Sequence, residues 1–156
     1  MKIKELKNLV DNYIDDYNEF SINRELFDFE DGRKKYNSTI RDNVRKNSFG
    51  IYVWVNPKND EVIYIGMAGK IKSDGTSCDH SLAKRLTATR GKDKETKLDI
   101  LTNDYVKTIM DLKEIEKLDF YIFYTKTDEP PSYVESILLY NYFKQQKRLP
   151  ILNNSF

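Results

Sequence analysis

Two short runs of β-branched and aromatic residues, Phe49-Gly-Ile-Tyr-Val-Trp-Val55 and Val62-Ile-Tyr-Ile-Gly66, flank the turn-forming segment Asn56-Pro-Lys-Asn-Asp60. Such runs favour strands, and a five- or six-residue loop between them makes an antiparallel hairpin. This hairpin commits the chain to a sheet, and the rest can be placed around it. Leu118–Thr125 has the same character and reads as a third strand. Before the hairpin, Ile3, Leu6, Leu9, Val10, Tyr13, Ile14, Tyr17 and Phe20 recur at steps of three and four, which predicts one amphipathic helix over residues 3–20. Arg33–Asn47 is polar, with sparse apolar residues, and reads as loop or short helix. Met67–Asp79 holds Gly69, Gly75 and several hydroxyl side chains and reads as an extended loop. Asp79 or Ser81 then caps a helix running to about Arg90, with Gly91 stopping it, and a further helix is expected over residues 98–117. Pro130-Pro131 opens a last helix to about Lys147. The order predicts an α+β domain: a small three-stranded sheet flanked by helices over residues 48–156, preceded by a helical extension over residues 1–47.

Composition excludes several classes. No apolar run approaches the ~18 residues that span a bilayer, and the charged N-terminus has no apolar stretch behind it, so no secretory leader is read. Cys78 is the sole cysteine, which rules out an internal disulfide and a thiolate zinc cage. These features predict a soluble, cytoplasmic protein without a membrane partner. Net charge is only +1, but the charges are segregated. Acids dominate Asp11–Asp31, whereas Arg33, Lys34, Lys35, Arg41, Arg45 and Lys46 face only Asp42. A second basic stretch holds Lys70, Lys72, Lys84, Arg85, Arg90, Lys92, Lys94 and Lys97. Local potential rather than the sum decides whether a polyanion binds, so these stretches can hold one if they surround a chemical site, and read as solvated faces if they do not.

Within the hairpin, Gly50-Ile51-Tyr52 lies on the first strand and Tyr64-Ile65-Gly66 on the second, with eleven residues between them. This pair resembles the signature of the GIY-YIG nuclease superfamily, whose members hydrolyse DNA phosphodiesters with a divalent metal. Downstream, Ser81-Leu-Ala-Lys-Arg85-Leu matches the family's helical arginine, Pro131-Ser-Tyr-Val-Glu135 its glutamate, and Pro150-Ile-Leu-Asn153 its terminal asparagine. The resemblance covers roughly residues 48–155. It implies an active site of Tyr52, Tyr64, Arg85, Glu135 and Asn153, with Glu135 holding one Mg²⁺ or Mn²⁺. The chemistry suits these residue types. A guanidinium offers paired donors to phosphate and stays charged, and one carboxylate suffices for Mg²⁺ when waters and phosphate oxygens complete its shell. Either tyrosine is a candidate base, provided that neighbouring cations lower its pKa.

Two departures stand out. Where family members often carry His or Tyr one turn after the arginine, this chain has Thr89; His80, near the start of the same helix, is the candidate replacement. The stretch between Tyr64 and Arg85 is about twice the compact family length. Its insertion is similar to that of the superfamily's restriction endonucleases, in which a loop lysine assists the tyrosine, so Lys70 or Lys72 is expected to do so here. The resemblance therefore implies a metal-dependent DNA endonuclease of restriction or host-defence type, with a two-fold dimer if both strands of a palindrome are cut. The alternatives are a non-cleaving nucleic-acid-binding module of the same fold and a repair or structure-selective nuclease.

Overall fold

In the computed structural model, which describes residues 1–155, five α-helices surround a four-stranded antiparallel sheet. Phe156, the last residue of the second segment, lies outside the described residues. The chain begins with α1 (Ile3–Val10), β1 (Ile14–Asn23) and α2 (Gly32–Asn43), then forms the hairpin of β2 (Gly50–Asn56) and β3 (Glu61–Ala68). Two minor hairpins follow, β4 (Lys70–Ile71) with β5 (Ser77–Cys78) and β6 (Thr89–Lys92) with β7 (Asp99–Leu101), separated by α3 (Leu82–Thr87). The chain continues through α4 (Thr102–Leu112), β8 (Lys117–Thr125) and α5 (Pro131–Gln146). In the main sheet the strand order is β1-β8-β2-β3.

The sheet has four strands rather than three, because the single helix expected over residues 3–20 ends at Val10. A short 3₁₀ turn, Asp11–Tyr13, leads into β1 instead. The steps of three and four that suggested a helix end in residues that also suit a strand. Phe20 and Ile22 alternate with Glu19, Ser21 and Asn23, and β1 pairs with β8 along its length. Phe20 lies opposite Phe120 with ring centroids 5.2 Å apart, a cross-strand aromatic pair that a continued helix would forfeit. The N-terminal segment is thus helix, strand and helix. Residues 33–47, read as loop or short helix, form most of α2, whose Tyr36 and Ile40 are buried one turn apart.

Three layers result. On one side of the sheet, α2, α3 and α4 bury Tyr36, Ile40, Leu82, Leu86, Val106 and Met110 against Tyr52, Trp54, Phe120 and Ile122. On the other, α1 and α5 bury Leu6, Val10, Val134 and Leu138 against Ile51, Val53, Ile65 and Phe123. Strand alternation delivers successive residues to the two layers, which is why β2, covered on both, is apolar at every position from Ile51 to Val55. Asn56 leaves it at the turn. The stripe on α1 is spent on this packing through Leu6 and Val10, while Tyr17 lies on β1 and carries the Lys7 ammonium over its ring.

Other elements are shorter than their patterns suggest. The extended loop expected at residues 67–79 contains the β4–β5 hairpin. The third helix stops at Thr87 rather than near Arg90, so Thr89 sits on a strand, and the fourth spans 102–112 because residues 99–101 pair with β6. Gly91 lies within β6 rather than at a helix end. Among the described residues, no helix is long and apolar enough to cross a membrane.

Gly50 sits opposite Tyr124 where β2 pairs with β8. Its φ is +147°, and a Cβ there would run into the Phe123 carbonyl oxygen, which is backbone and has nowhere to move. Gly50→Ala is therefore expected to cost about 3 kcal/mol in urea unfolding, whereas a loss below about 0.5 kcal/mol would show that the two strands separate easily at this end.

Candidate active site

The free edge of β3 borders an open cleft of about 580 Å³, lined by Tyr64, Arg90, Ile100, Tyr105, Glu135 and Asn153 among others. These residues come from β3, the β6–β7 hairpin, α4, α5 and the segment after α5, so helices of both outer layers meet around one sheet edge.

The tyrosines are set by register. Tyr52 lies opposite Gly66, and Trp54 opposite Tyr64, which puts Tyr52 and Tyr64 diagonally across one face with ring centroids 5.7 Å apart. Gly66 makes that arrangement feasible. A Cβ there would stand 2.6 Å from Tyr64 Cε1 and 2.7 Å from Tyr52 Cζ. The two tyrosines are not equivalent. Tyr52 is 1% exposed, and burial pushes its hydroxyl above the ordinary tyrosine range even though Arg90 and Arg85 oppose the shift. The cations expected to activate it do not overcome desolvation. Tyr64 is half-buried and opens onto the cleft.

Arg90 is the residue that sequence reasoning missed. Its guanidinium lies over three rings, with its carbon 4.5 Å from the centroid of Tyr105, 4.9 Å from that of Tyr64 and 5.3 Å from that of Trp54. What places it there is the end of α3. The Thr102 hydroxyl and backbone N–H both donate to the Ala88 carbonyl, at 2.5 Å and 3.1 Å, which fastens the start of α4 to the residue after α3. Arg90 then emerges beside Tyr105, whereas Thr89 is exposed. No spacing rule marked Arg90 apart from the other cations of its stretch.

Glu135 lies in the second turn of α5, half-buried in the cleft wall. Burial pushes its carboxyl up to about 7, and the opposing charge of Arg85 offsets only part of that. Arg85 is exposed and lines a smaller adjoining pocket of about 150 Å³ with Lys70, Asp79, His80, Gly69 and the end of β3 at Met67 and Ala68. The structure therefore brings Tyr64, Glu135 and Asn153 into one cleft, and Arg85, Lys70 and His80 into its neighbour. Lys70 is committed to an ion pair with Asp79 at 3.4 Å. Lys72 lines neither pocket; it is exposed in the β4–β5 turn, where its carbonyl accepts from the Gly75 N–H. Among the described residues, no three His, Cys, Asp or Glu side chains converge as a metal cluster.

Asn153 holds the edge itself. Its side-chain amide donates to the Ile65 carbonyl at 2.7 Å, and its Oδ1 accepts the Ile65 N–H at 3.0 Å; the neighbouring Leu152 N–H donates to Ile63 at 3.0 Å. Asn153 thus fixes the backbone next to Tyr64.

No family model, curated protein or solved structure matches the chain.

Removing the Asn153 amide should loosen β3. Asn153→Ala is expected to cost about 1–3 kcal/mol, the cost of leaving part-buried backbone partners unmade, and to speed hydrogen exchange at the Ile65 amide; unchanged exchange there would mean that the clamp is not what orders the strand. Glu135 gives a pH signature. A carboxyl raised from about 4.5 to about 7 on folding binds its proton more tightly in the folded chain, so stability falls as pH rises through that window. Glu135→Gln should therefore raise Tm at pH 8 and leave it nearly unchanged at pH 4.5, in paired thermal melts. An equal shift at both pH values would contradict the buried-carboxyl account.

Proposed function

We propose that the protein is a metal-dependent endonuclease of the GIY-YIG type, hydrolysing DNA phosphodiesters in the cleft along β3. The observation that carries the reading is that Tyr64, Glu135 and Asn153, far apart in sequence and named by the motif, line one cleft, with Arg85 in the adjoining pocket. The distribution of charge supports a DNA partner. The Tyr36 hydroxyl donates to the Leu86 carbonyl at 3.0 Å, tying α2 to α3, so the exposed cations Arg33, Lys34, Lys35 and Arg41 share a layer with Lys84 and Arg85. The insertion that carries the β4–β5 hairpin favours a restriction-type enzyme, and cutting both strands at a symmetric site would take two copies.

Glu135 is the carboxyl that fits a divalent ion. Among the described residues it is the one acidic side chain lining the main cleft, and the open, polar space beside it leaves room for the waters and phosphate oxygens that Mg²⁺ keeps in its shell. Bound there, Mg²⁺ or Mn²⁺ would neutralise phosphate charge and stabilise the leaving oxygen. Arg85, free of ion pairing among the described residues, offers its guanidinium to the phosphate. Tyr64 is the tyrosine that reaches a water in the cleft. Tyr52, held as a neutral phenol, supports it from behind. A proton and a cation compete for Glu135, so metal affinity should weaken as pH falls below about 7.

Digestion of plasmid and phage DNA with Mg²⁺ or Mn²⁺ tests the reading, beside EDTA and Glu135→Gln controls. Discrete metal-dependent fragments that vanish in the variant are expected, with Arg85→Ala slowed by about 10² or more. A smear or nicks alone would favour a repair or structure-selective enzyme. Binding of DNA without any metal-dependent cutting, the same in wild type and Glu135→Gln, would replace hydrolysis with a non-cleaving binding module.

A further inference from the structure

Arg90 is a half-buried cation in the wall of the main cleft. Among the described residues it forms no ion pair, and the groups that bear on it are the hydroxyl-bearing rings of Tyr52, Tyr64 and Tyr105. Its neighbour Lys92, by contrast, is paired with Asp99 at 3.7 Å. A partly desolvated charge is normally matched by an opposite one, and an unmatched guanidinium is costly to keep. The ring faces of Tyr64, Tyr105 and Trp54 offset some of that cost and the Tyr64 hydroxyl engages the guanidinium, but a π face uses no N–H and one hydroxyl cannot occupy all five donors. Arg90 lines the main cleft, where, among the described residues, the one acidic side chain is Glu135. The side chain thus lines the cleft as a charge without a carboxylate partner among the described residues.

We infer that Arg90 binds a backbone phosphate of a nucleic-acid strand lying in the main cleft, separately from Arg85 in the adjoining pocket. Two arginines in adjoining pockets along one strand edge would grip the sugar-phosphate chain at two points and so fix its direction past Tyr64 and Glu135. The ring cage suits an arginine better than a lysine, because a planar guanidinium stacks on tyrosine while still presenting a fork to phosphate. The inference rests on the nucleic-acid reading of the cleft and does not depend on cleavage.

The test is binding of fluorescein-labelled single-stranded and duplex DNA in EDTA, across a series of salt concentrations. The proteins compared are wild type, Arg90→Gln, Arg90→Lys and the control Lys58→Gln, in the β2–β3 turn outside the cleft. Arg90→Gln should weaken binding roughly tenfold or more, the scale of a lost charge-assisted hydrogen bond. It should also flatten the slope of log Kd against log salt by about one unit. Arg90→Lys should recover the slope but not the full affinity, and Lys58→Gln should match wild type. A folded Arg90→Gln with wild-type Kd and slope overturns the inference, as does a wild type that binds neither DNA. Should Arg90→Gln fail to fold, the assigned Arg90 Nε–H resonance of the wild type is followed while a short oligonucleotide is added. A saturable shift supports the phosphate contact and an unmoved resonance overturns it. A wild type that binds through Arg90 yet never cuts would sink the hydrolase reading alone, and one that cuts while Arg90→Gln binds normally would sink this inference alone.

Discussion

The rest of the molecule depends on how closely β2 can be packed. It has a strand on each edge and a helical layer on each face, and it tolerates all four neighbours because two glycines clear the space at its flanks. Gly50 lets β8 come near, and Gly66, across the hairpin, leaves room for two tyrosines that would otherwise collide with a methyl group. With these contacts in place, Trp54 is enclosed by Tyr52, Tyr64, Tyr105 and Phe120, and the position of Tyr64 follows. A packing constraint in the core thereby becomes an orientation at the surface. The glycines and tyrosines of the two tripeptides act as one steric unit.

At the cleft the same packing sets the electrostatics. Desolvation opposes the charge of both groups that line it: burial discourages ionisation of Glu135, whereas Arg90 keeps its charge because Tyr52, Tyr64 and Tyr105 outweigh the burial. The cleft is consequently more positive than full ionisation would make it, since burial leaves the Glu135 carboxyl partly protonated near neutral pH. A site prepared in this way favours incoming anions. A cation accompanying the anion would in turn favour the ionised form of Glu135.

How much of this could be read in the sequence follows from which interactions are local. The β2–β3 hairpin, β8 and α5 are legible because strand-forming runs, a proline-containing turn and Pro131 at a helix start act over a few residues. β1 is not, because its partner β8 is distant along the chain and the spacing of Tyr13, Ile14, Tyr17 and Phe20 satisfies a helix equally well. In the site, Tyr64, Glu135 and Asn153 are legible as motif positions. Arg90 is hidden among similar cations, and its place follows from where α3 stops and how Thr102 grips Ala88. Lys70 looks like a candidate from its loop, but its link to Asp79 is visible only in three dimensions.

The clamp of Asn153 on Ile65 also bears on solubility. β3 and β1 are the outer strands of the sheet, and exposed backbone donors and acceptors on such strands invite pairing with another chain. β1 carries exposed Asp15, Asp16 and Glu19, so a second strand would meet a row of negative charge. β3 lines the cleft and has no such row. There a single side-chain amide imitates the backbone of a fifth strand at one residue, filling the positions through which an aggregating neighbour would dock. With the Leu152 N–H on Ile63 and the amide on Ile65, the edge is blunted on either side of Tyr64 while the space in front of that residue stays open.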